Sequence, residues 1–143
     1  MKLQQVSVFL ENKKGRLAEV TSLIADKGIN IRALSLADTA DFGVLRLIVN
    51  DPDRCFEVLK AAGYVAQRTD VIAVEVDDRP GGLKKILDIF DEQEINIEYM
   101  YAFVEKKSDK AIVIVRIDQP ERAIEALVAR GVTVLSAEVI STL

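Results

Sequence analysis

Histidine is absent from all 143 residues. That excludes a Ser–His–Asp triad, a Cys–His pair, an imidazole metal ligand and histidine acid–base work near neutral pH. Cysteine occurs once, at Cys55. A lone cysteine forms no intramolecular disulfide, and a cytoplasmic setting is the expectation. No apolar run approaches the ~20 residues that span a bilayer. Met1 leads into Lys2-Leu3-Gln4-Gln5, which lacks the apolar core of a secretory signal. An excess of basic charge is missing too: 19 Lys+Arg stand against 23 Asp+Glu, a net charge of −4. That balance disfavours a nucleic-acid partner, whose phosphates call for a basic footprint.

What is present is a repeat. The stretches NKKGRLAEVTSLIADKGINI and DRPGGLKKILDIFDEQEINI align at a constant offset of 66: Gly15 with Gly81, Leu17 with Leu83, and Ile29-Asn30-Ile31 with Ile95-Asn96-Ile97. Beyond them Pro52 aligns with Pro120, Leu59 with Leu127 and Gly63 with Gly131, at an offset of 68. The two extra residues of the second copy fall most simply in the Lys106-Lys107-Ser108-Asp109 turn. Two tandem copies account for the length better than one domain.

Each copy reads strand, helix, strand, strand, helix, strand. Val6, Val8 and Leu10 alternate as a strand does, and Asn12-Lys13-Lys14-Gly15 breaks the pattern. Leu17, Val20, Leu23 and Ile24 recur at helical spacing, with Gly28 as terminator. A strand from Ile31 to Leu36, a turn at Asp38-Thr39-Ala40-Asp41 and a strand through Leu45, Leu47 and Val49 follow. Asp51-Pro52-Asp53 opens a second helix lined by Phe56, Leu59 and Ala62. In the second copy Ile72, Val74 and Val76 alternate, and Leu83, Ile86, Leu87 and Phe90 form the helical stripe. Val113, Val115 and Ile117 face inward on a strand, while Ile124, Leu127 and Val128 line the last helix. From Val65 to Val76 only Arg68-Thr69-Asp70 interrupts apolar character, so one strand follows another almost directly.

The order βαββαβ is the ferredoxin-like arrangement: α+β, an antiparallel four-stranded sheet with both helices on one face. Two such domains are expected, at 1–70 and 71–143. The other sheet face carries Phe9, Val44, Ile48, Ile112 and Ile114. So apolar a face calls for a cover, and a second chain is the simplest one. A homodimer is therefore expected.

Fold does not give function. An RNA-recognition module needs aromatics on its central strands, and GVLRLIV and AIVIVRI have none. A metallochaperone needs paired cysteines. An acylphosphatase-like enzyme needs an arginine in the first loop and an asparagine on the second strand; Arg79 and Asn96 come nearest, but Asn96 precedes its strand. The segments N-x-x-G-x-L…G-I-N-I and D-R-P-G-G-L…E-I-N-I, in contrast, resemble the ACT domain family of small-molecule regulatory modules, and the resemblance covers nearly the whole chain. It implies amino-acid binding between paired domains, regulation of enzymes of amino-acid metabolism and, with no catalytic domain attached, a stand-alone regulatory protein that is not an enzyme. No cofactor, metal, nucleic acid or membrane is implied. The expected partners are a small-molecule ligand, a second copy of the chain and a metabolic enzyme. A structural or protein-interaction module that has lost its ligand is the alternative.

The loop has its own chemistry. Gly15 and the pair Gly81-Gly82 sit where a strand turns into a helix, and glycine lets a ligand approach the backbone. The helix N-terminus behind offers N–H groups and a positive dipole to an α-carboxylate. Asn12, Asp78, Asn30 and Asn96 supply oxygen acceptors for an α-ammonium. The resemblance implies ligand contacts at the same places: the polar residue before the glycine turn, Asn12 or Asp78, and the asparagine of the Ile-Asn-Ile stretch, Asn30 or Asn96. It also implies a histidine two residues before the loop, where Leu10 and Val76 stand instead, and Lys13-Lys14 replaces Arg-Pro in the first copy. Those residues also admit plainer roles as turn formers and helix caps. The halves differ in charge, net +1 over 1–70 and net −5 over 71–143, which disfavours two equal sites for an anion. Because Lys13-Lys14 departs from Arg-Pro in the first copy, Asp78, Gly81 and Gly82 are the leading contacts, with Asn30 or Asn96 from the facing domain, and Asn12 and Gly15 are the weaker counterpart.

Overall fold

In the computed structural model, residues 1–38, 41–104 and 108–142 are described. The expected turn residues Thr39 and Ala40, and Lys106 and Lys107 of the expected insertion, lie outside them. The chain divides into two compact units, Gln4–Thr69 and Met1–Leu3 with Asp70–Leu143.

The N-terminal unit holds β1 (Leu3–Glu11), α1 (Arg16–Asp26), β2 (Ile31–Asp38), β3 (Phe42–Val49), α2 (Pro52–Ala61) and the start of β4 (Val65–Asp77). Its strand order is β2-β3-β1-β4, with β3 antiparallel to both β1 and β2. Alternation on β1 and β3 sends Val6, Val8, Leu10, Leu45, Leu47 and Val49 to one face, where Val20 and Ile24 of α1 and Cys55 and Leu59 of α2 close over them. Burying one such side chain contributes about 1.5–3 kcal/mol, so the helices are held chiefly by this shared layer. Asp51 caps α2: its side chain accepts from the Arg54 N–H at 3.2 Å, and Pro52 occupies the first turn.

The C-terminal unit continues from β4 through α3 (Gly82–Glu92), β5 (Ile97–Val104), β6 (Lys110–Ile117), α4 (Pro120–Ala129), β7 (Val134–Leu135) and α5 (Ala137–Thr142). Its strand order is β7-β4-β6-β5, all antiparallel. A second core gathers Ile72, Val74, Val113, Val115 and Ile117 of the strands with Ile86, Ile89, Phe90, Ala123 and Leu127 of the helices. Both units are thus mixed α+β with antiparallel pairing.

Several expectations need correction. Leu17, Leu83 and Val128 are exposed, not part of the buried stripes. Leu17 and Leu83 stand in the first helical turns, ahead of the buried positions, and Val128 is turned about 100° from Leu127. The two strands expected between Val65 and Val76 are one continuous strand. The last strand has two residues, and a short helix that the sequence pattern did not announce follows it. The second sheet face needs less cover than its composition suggested. Ile48, Ile112 and Ile114 are already buried within one chain, while Phe9 remains 40% exposed. Apolarity at those three isoleucines therefore demands no second chain.

Cys55, on α2, is fully buried, and burial, with the Asp51 charge second, pushes its thiol up to about 11. Alkylation needs the thiolate. Folded protein at pH 8 should react with iodoacetamide on the order of 100-fold more slowly than protein in denaturing urea. Equal rates would show that the α2 layer is not closed.

Candidate functional site

Both strand-to-helix loops are built alike. Gly15 (φ +86) and Gly81 (φ +90) are the N-caps of α1 and α3, in the left-handed region, and neither provides a capping side chain. A residue with Cβ pays roughly 1–2 kcal/mol there. Each loop makes the same tight bonds: Lys13 N–H to the Glu11 carbonyl at 2.8 Å, and Arg79 N–H to the Asp77 carbonyl at 2.9 Å. A Cβ built on Gly15 or Gly81 meets nothing within 4 Å, so space lies open in front of both glycines.

Gly82 is different. A Cβ there would come within 1.9 Å of the Asp77 carbonyl oxygen. The second glycine of the pair is therefore a packing requirement of the turn, and ligand access need not be invoked for it. The equivalent residue of the N-terminal unit is Arg16, half-buried, with a full side chain.

Asn12 and Asp78 are exposed and anchored by their backbones, Asn12 N–H to the Asp41 carbonyl at 3.1 Å and Asp78 N–H to the Asp109 carbonyl at 2.8 Å. Asn12 also lines a shallow hollow of about 360 Å³ with Glu11, Lys13, Asp41 and Phe42. Asn30 and Asn96 have a structural duty through their main chains. The Asn30 N–H donates to Asn50 Oδ1 at 2.9 Å, and the Asn96 N–H donates to Asp118 Oδ1 at 3.2 Å. Their side chains belong to exposed residues.

The structure does not bring loop and asparagine together inside a unit. Asp78 lies one step beyond the Asp77–Lys110 pair, and Asn96 one step before the Ile97–Ile117 pair. Lys110 and Ile117 are the two ends of β6, an 8-residue strand, which spans roughly 25 Å. The same holds for Asn12 and Asn30 across β3. One small ligand cannot touch both within one unit.

The charge around the second loop is mostly paired. Asp77 is held by Lys110 and, at 3.1 Å, by Arg79. The Lys110 ammonium beside it holds the Asp77 carboxyl below the usual carboxylate range, and the Lys110 pKa is raised in return. Of the acidic residues on α3 and the start of β5, Asp88 pairs with Lys84, Glu92 with Arg130 and Glu98 with Arg116. Tyr99, Met100 and Tyr101 are half-buried on β5, and Met100 packs against the C-terminal core.

One feature of the N-terminal unit was not anticipated. A cleft of about 370 Å³ opens beside its loop, with Phe9, Glu11, Arg16, Glu19, Phe42 and Tyr64 around it. Arg16 Nη1 donates to Glu19 Oε2 at 3.1 Å. Burial, then the neighbouring Glu19, raises the Tyr64 phenol pKa. The signal available in the sequence was difference: by the repeat offsets these positions hold Glu75, Gly82, Lys110 and Val132 where the first copy has Phe9, Arg16, Phe42 and Tyr64.

With this geometry in view the comparisons decide the family. The ACT domain pair family matches residues 1–143. The chain is a member of the ACT domain pair family. Protein BT0572 from Bacteroides thetaiotaomicron shares 40% identity, covering 100% of this chain and 98% of that one, with a TM-score of 0.94. The regulatory subunit of aspartate kinase from Thermus thermophilus shares the fold at 18% identity and a TM-score of 0.66, covering 87% of this chain and 89% of that one. Aspartate kinase from Clostridium acetobutylicum aligns at 15% identity and a TM-score of 0.52, over 88% of this ACT chain but 32% of the enzyme. No curated protein sequence matches. No helix among the described residues is long and apolar enough to cross a membrane, and no cluster of potential metal ligands occurs among them.

Two outcomes follow from the loop. Gly82→Ala should lower stability in urea titration by roughly 1–3 kcal/mol, the usual cost of overpacking. Arg16→Ala at the equivalent position should stay within about 0.5 kcal/mol; equal losses would contradict the closed Asp77–Gly82 turn. The depressed Asp77 carboxyl stabilises the fold above the usual carboxylate range, and that contribution disappears as pH falls through its folded pKa. Wild-type melting temperature should therefore drop more on acidification from neutral pH than that of Asp77→Asn. Parallel curves would show that the Lys110 contact adds nothing.

Proposed function

We propose that the protein is a stand-alone regulatory protein of amino-acid metabolism that binds an amino acid, with no catalysis of its own, in the cytoplasm. Residues 1–70 and 71–143 serve as its two ferredoxin-like ACT domains. The observation that carries this reading is the whole-chain match to an ACT domain pair. Two glycine-capped loops with open space before the glycines support it. Likeness to a chain described as a regulatory subunit of aspartate kinase agrees with a regulatory role. Absence of histidine removes the commonest catalytic groups.

The proposed site uses Asp78 and the Gly81-Gly82 turn for the ligand's polar head, with the α3 N-terminus facing the carboxylate. Gly82 acts by keeping the turn closed. Because Asn96 and Asn30 stand at the far ends of their own sheets, the asparagine that completes the site comes from a facing domain, and a homodimer is the proposed assembly. Asn12 and Gly15 form the weaker counterpart.

A second reading has one observation in its favour. Leu10 and Val76, where the family resemblance implies a histidine contact, are both buried in the cores. A protein-interaction module that has lost its ligand would look the same at those positions. A thermal-shift and calorimetric screen of the twenty amino acids separates the two. A ligand at 100 times its dissociation constant adds about 2.7 kcal/mol of stability. Asp78→Ala and Asn96→Ala should each remove roughly 1–3 kcal/mol of binding, and sedimentation should show a dimer. No shift with any amino acid would favour the interaction module.

A further inference from the structure

We propose that β2 is a self-pairing edge: two copies of the chain join antiparallel along it, about a two-fold axis at Ser35, and β5 takes no part. This deepens the homodimer of the proposed function, on which it rests, by assigning the edge and the register. Among the described residues β2 pairs only with β3, and β5 only with β6. Each therefore offers a row of open N–H and C=O groups to a further strand.

β2 also carries apolar surface. Leu34 stands across from Leu47 and Leu36 across from Leu45, whose side chains lie in the core under the helices. Yet Leu34 is 53% and Leu36 49% exposed, because β3 covers them from one side only. A strand added at this edge brings each of them a cross-strand neighbour.

The sequence identifies that strand. Ala33-Leu34-Ser35-Leu36-Ala37 reads the same in both directions. Antiparallel pairing with Ser35 opposite Ser35 therefore sets Leu34 of one copy opposite Leu36 of the other, and alanine opposite alanine. Both leucine pairs fall on one face, since the side-chain period is two. Arg32 and Asp38 bracket the palindrome, so the same register sets unlike charges opposite each other. Such a contact is isologous and closes at two chains. The ladder irregularity between Ile31 and Ala33 limits pairing on that side.

β5 has the place without the pattern. By the repeat offset, Glu98, Met100, Tyr101, Ala102 and Val104 stand where β2 has Arg32, Leu34, Ser35, Leu36 and Asp38. Met100 is half-buried against its own core, and Ala102 offers a methyl group where Leu36 offers four carbons. Pairing β2 with another copy's β5 in that register sets Leu34 against Ala102 and Ser35 against Tyr101. It also leaves one β2 and one β5 free to add further chains. The difference between the two edges favours a closed pair over an open filament.

The test is crosslinking and sedimentation of the full chain. Residues directly opposite in an antiparallel ladder have Cα atoms about 4.5–5.5 Å apart, within reach of a disulfide. Ser35→Cys should form a disulfide-linked dimer under mild oxidation. Ala37→Cys should not, since its two copies lie about 13 Å apart along the ladder. Wild type, whose one cysteine is the buried Cys55, should stay uncrosslinked. Leu34→Asp should weaken dimerisation at least a hundredfold with unchanged circular dichroism. Val104→Asp, similarly exposed but on β5, should leave it within twofold. A dimer that Ser35→Cys fails to link, or that Ala37→Cys links as readily, overturns the edge and leaves the homodimer standing. So does a dimer dissolved by Val104→Asp and not by Leu34→Asp, or growth beyond two chains. A wild-type monomer at micromolar concentration overturns both.

Discussion

The strand-to-helix turn at a left-handed glycine is the constraint from which the rest of each unit follows. At Gly15 and Gly81 the chain leaves a buried strand and must reverse within four residues to lay a helix back over the same face. A positive φ makes that reversal possible, and only glycine takes it without a Cβ penalty. The helix then arrives in register to close the core, with Val20 and Ile24 over β1 and β3 in one unit and Ile86, Ile89 and Phe90 over β4 and β6 in the other. The same turn leaves an N-terminus without a side-chain cap facing solvent. Core closure and an uncapped helix N-terminus therefore have one origin, and a change at this turn acts on both.

From a shared turn the two copies diverge. The C-terminal copy tightens it: Gly82 packs under the Asp77 carbonyl, and Asp77 is locked by Lys110 and Arg79. The N-terminal copy has Arg16 at the same position, and Arg16 lines the cleft beside its loop. The helix exits diverge in the opposite sense. Gly28 ends the first copy's helix at φ +71, while Glu94 takes φ +55 at the matching place. The second copy accepts backbone strain there that the first avoids. One fold thus supports a tight, charge-paired loop and one beside an open cleft lined by Phe9, Phe42 and Tyr64.

Much of this was legible in the residues. Alternation at Val6, Val8 and Leu10, helical spacing at Val20 and Ile24, and the punctuation by Gly15, Gly63, Pro52 and Pro120 identify elements because each pattern follows from a local geometric need. Other features depend on tertiary context that no local pattern carries. Ile112 and Ile114 read as an open apolar face, yet the chain buries them. The two-residue β7 and the six-residue α5 are too short for a period to be seen. Gly82 looked like part of a ligand loop because glycine serves both access and tight packing, and only the position of a neighbouring carbonyl tells them apart. The cleft leaves no mark in the repeat, because a repeat shows only what the copies share. Arg16, Phe42 and Tyr64 are places where the copies differ.

The asparagines show how far a repeated residue can be read. Asn30 and Asn96 recur, and their main chains do the same work: each exchanges bonds with Asn50 or Asp118 to close the turn into the next strand. That duty is satisfied by the backbone alone, so it does not explain why the side chain is asparagine in both copies. Nor does the loop chemistry of the same unit explain it, since an eight-residue strand lies between. What remains is the end of the sheet itself, an exposed amide beside an open edge strand, β2 in one unit and β5 in the other. An edge strand offers backbone groups to another chain. Under the proposed function a facing domain has to complete the site, because the loop and the asparagine end of one unit lie too far apart for one small ligand.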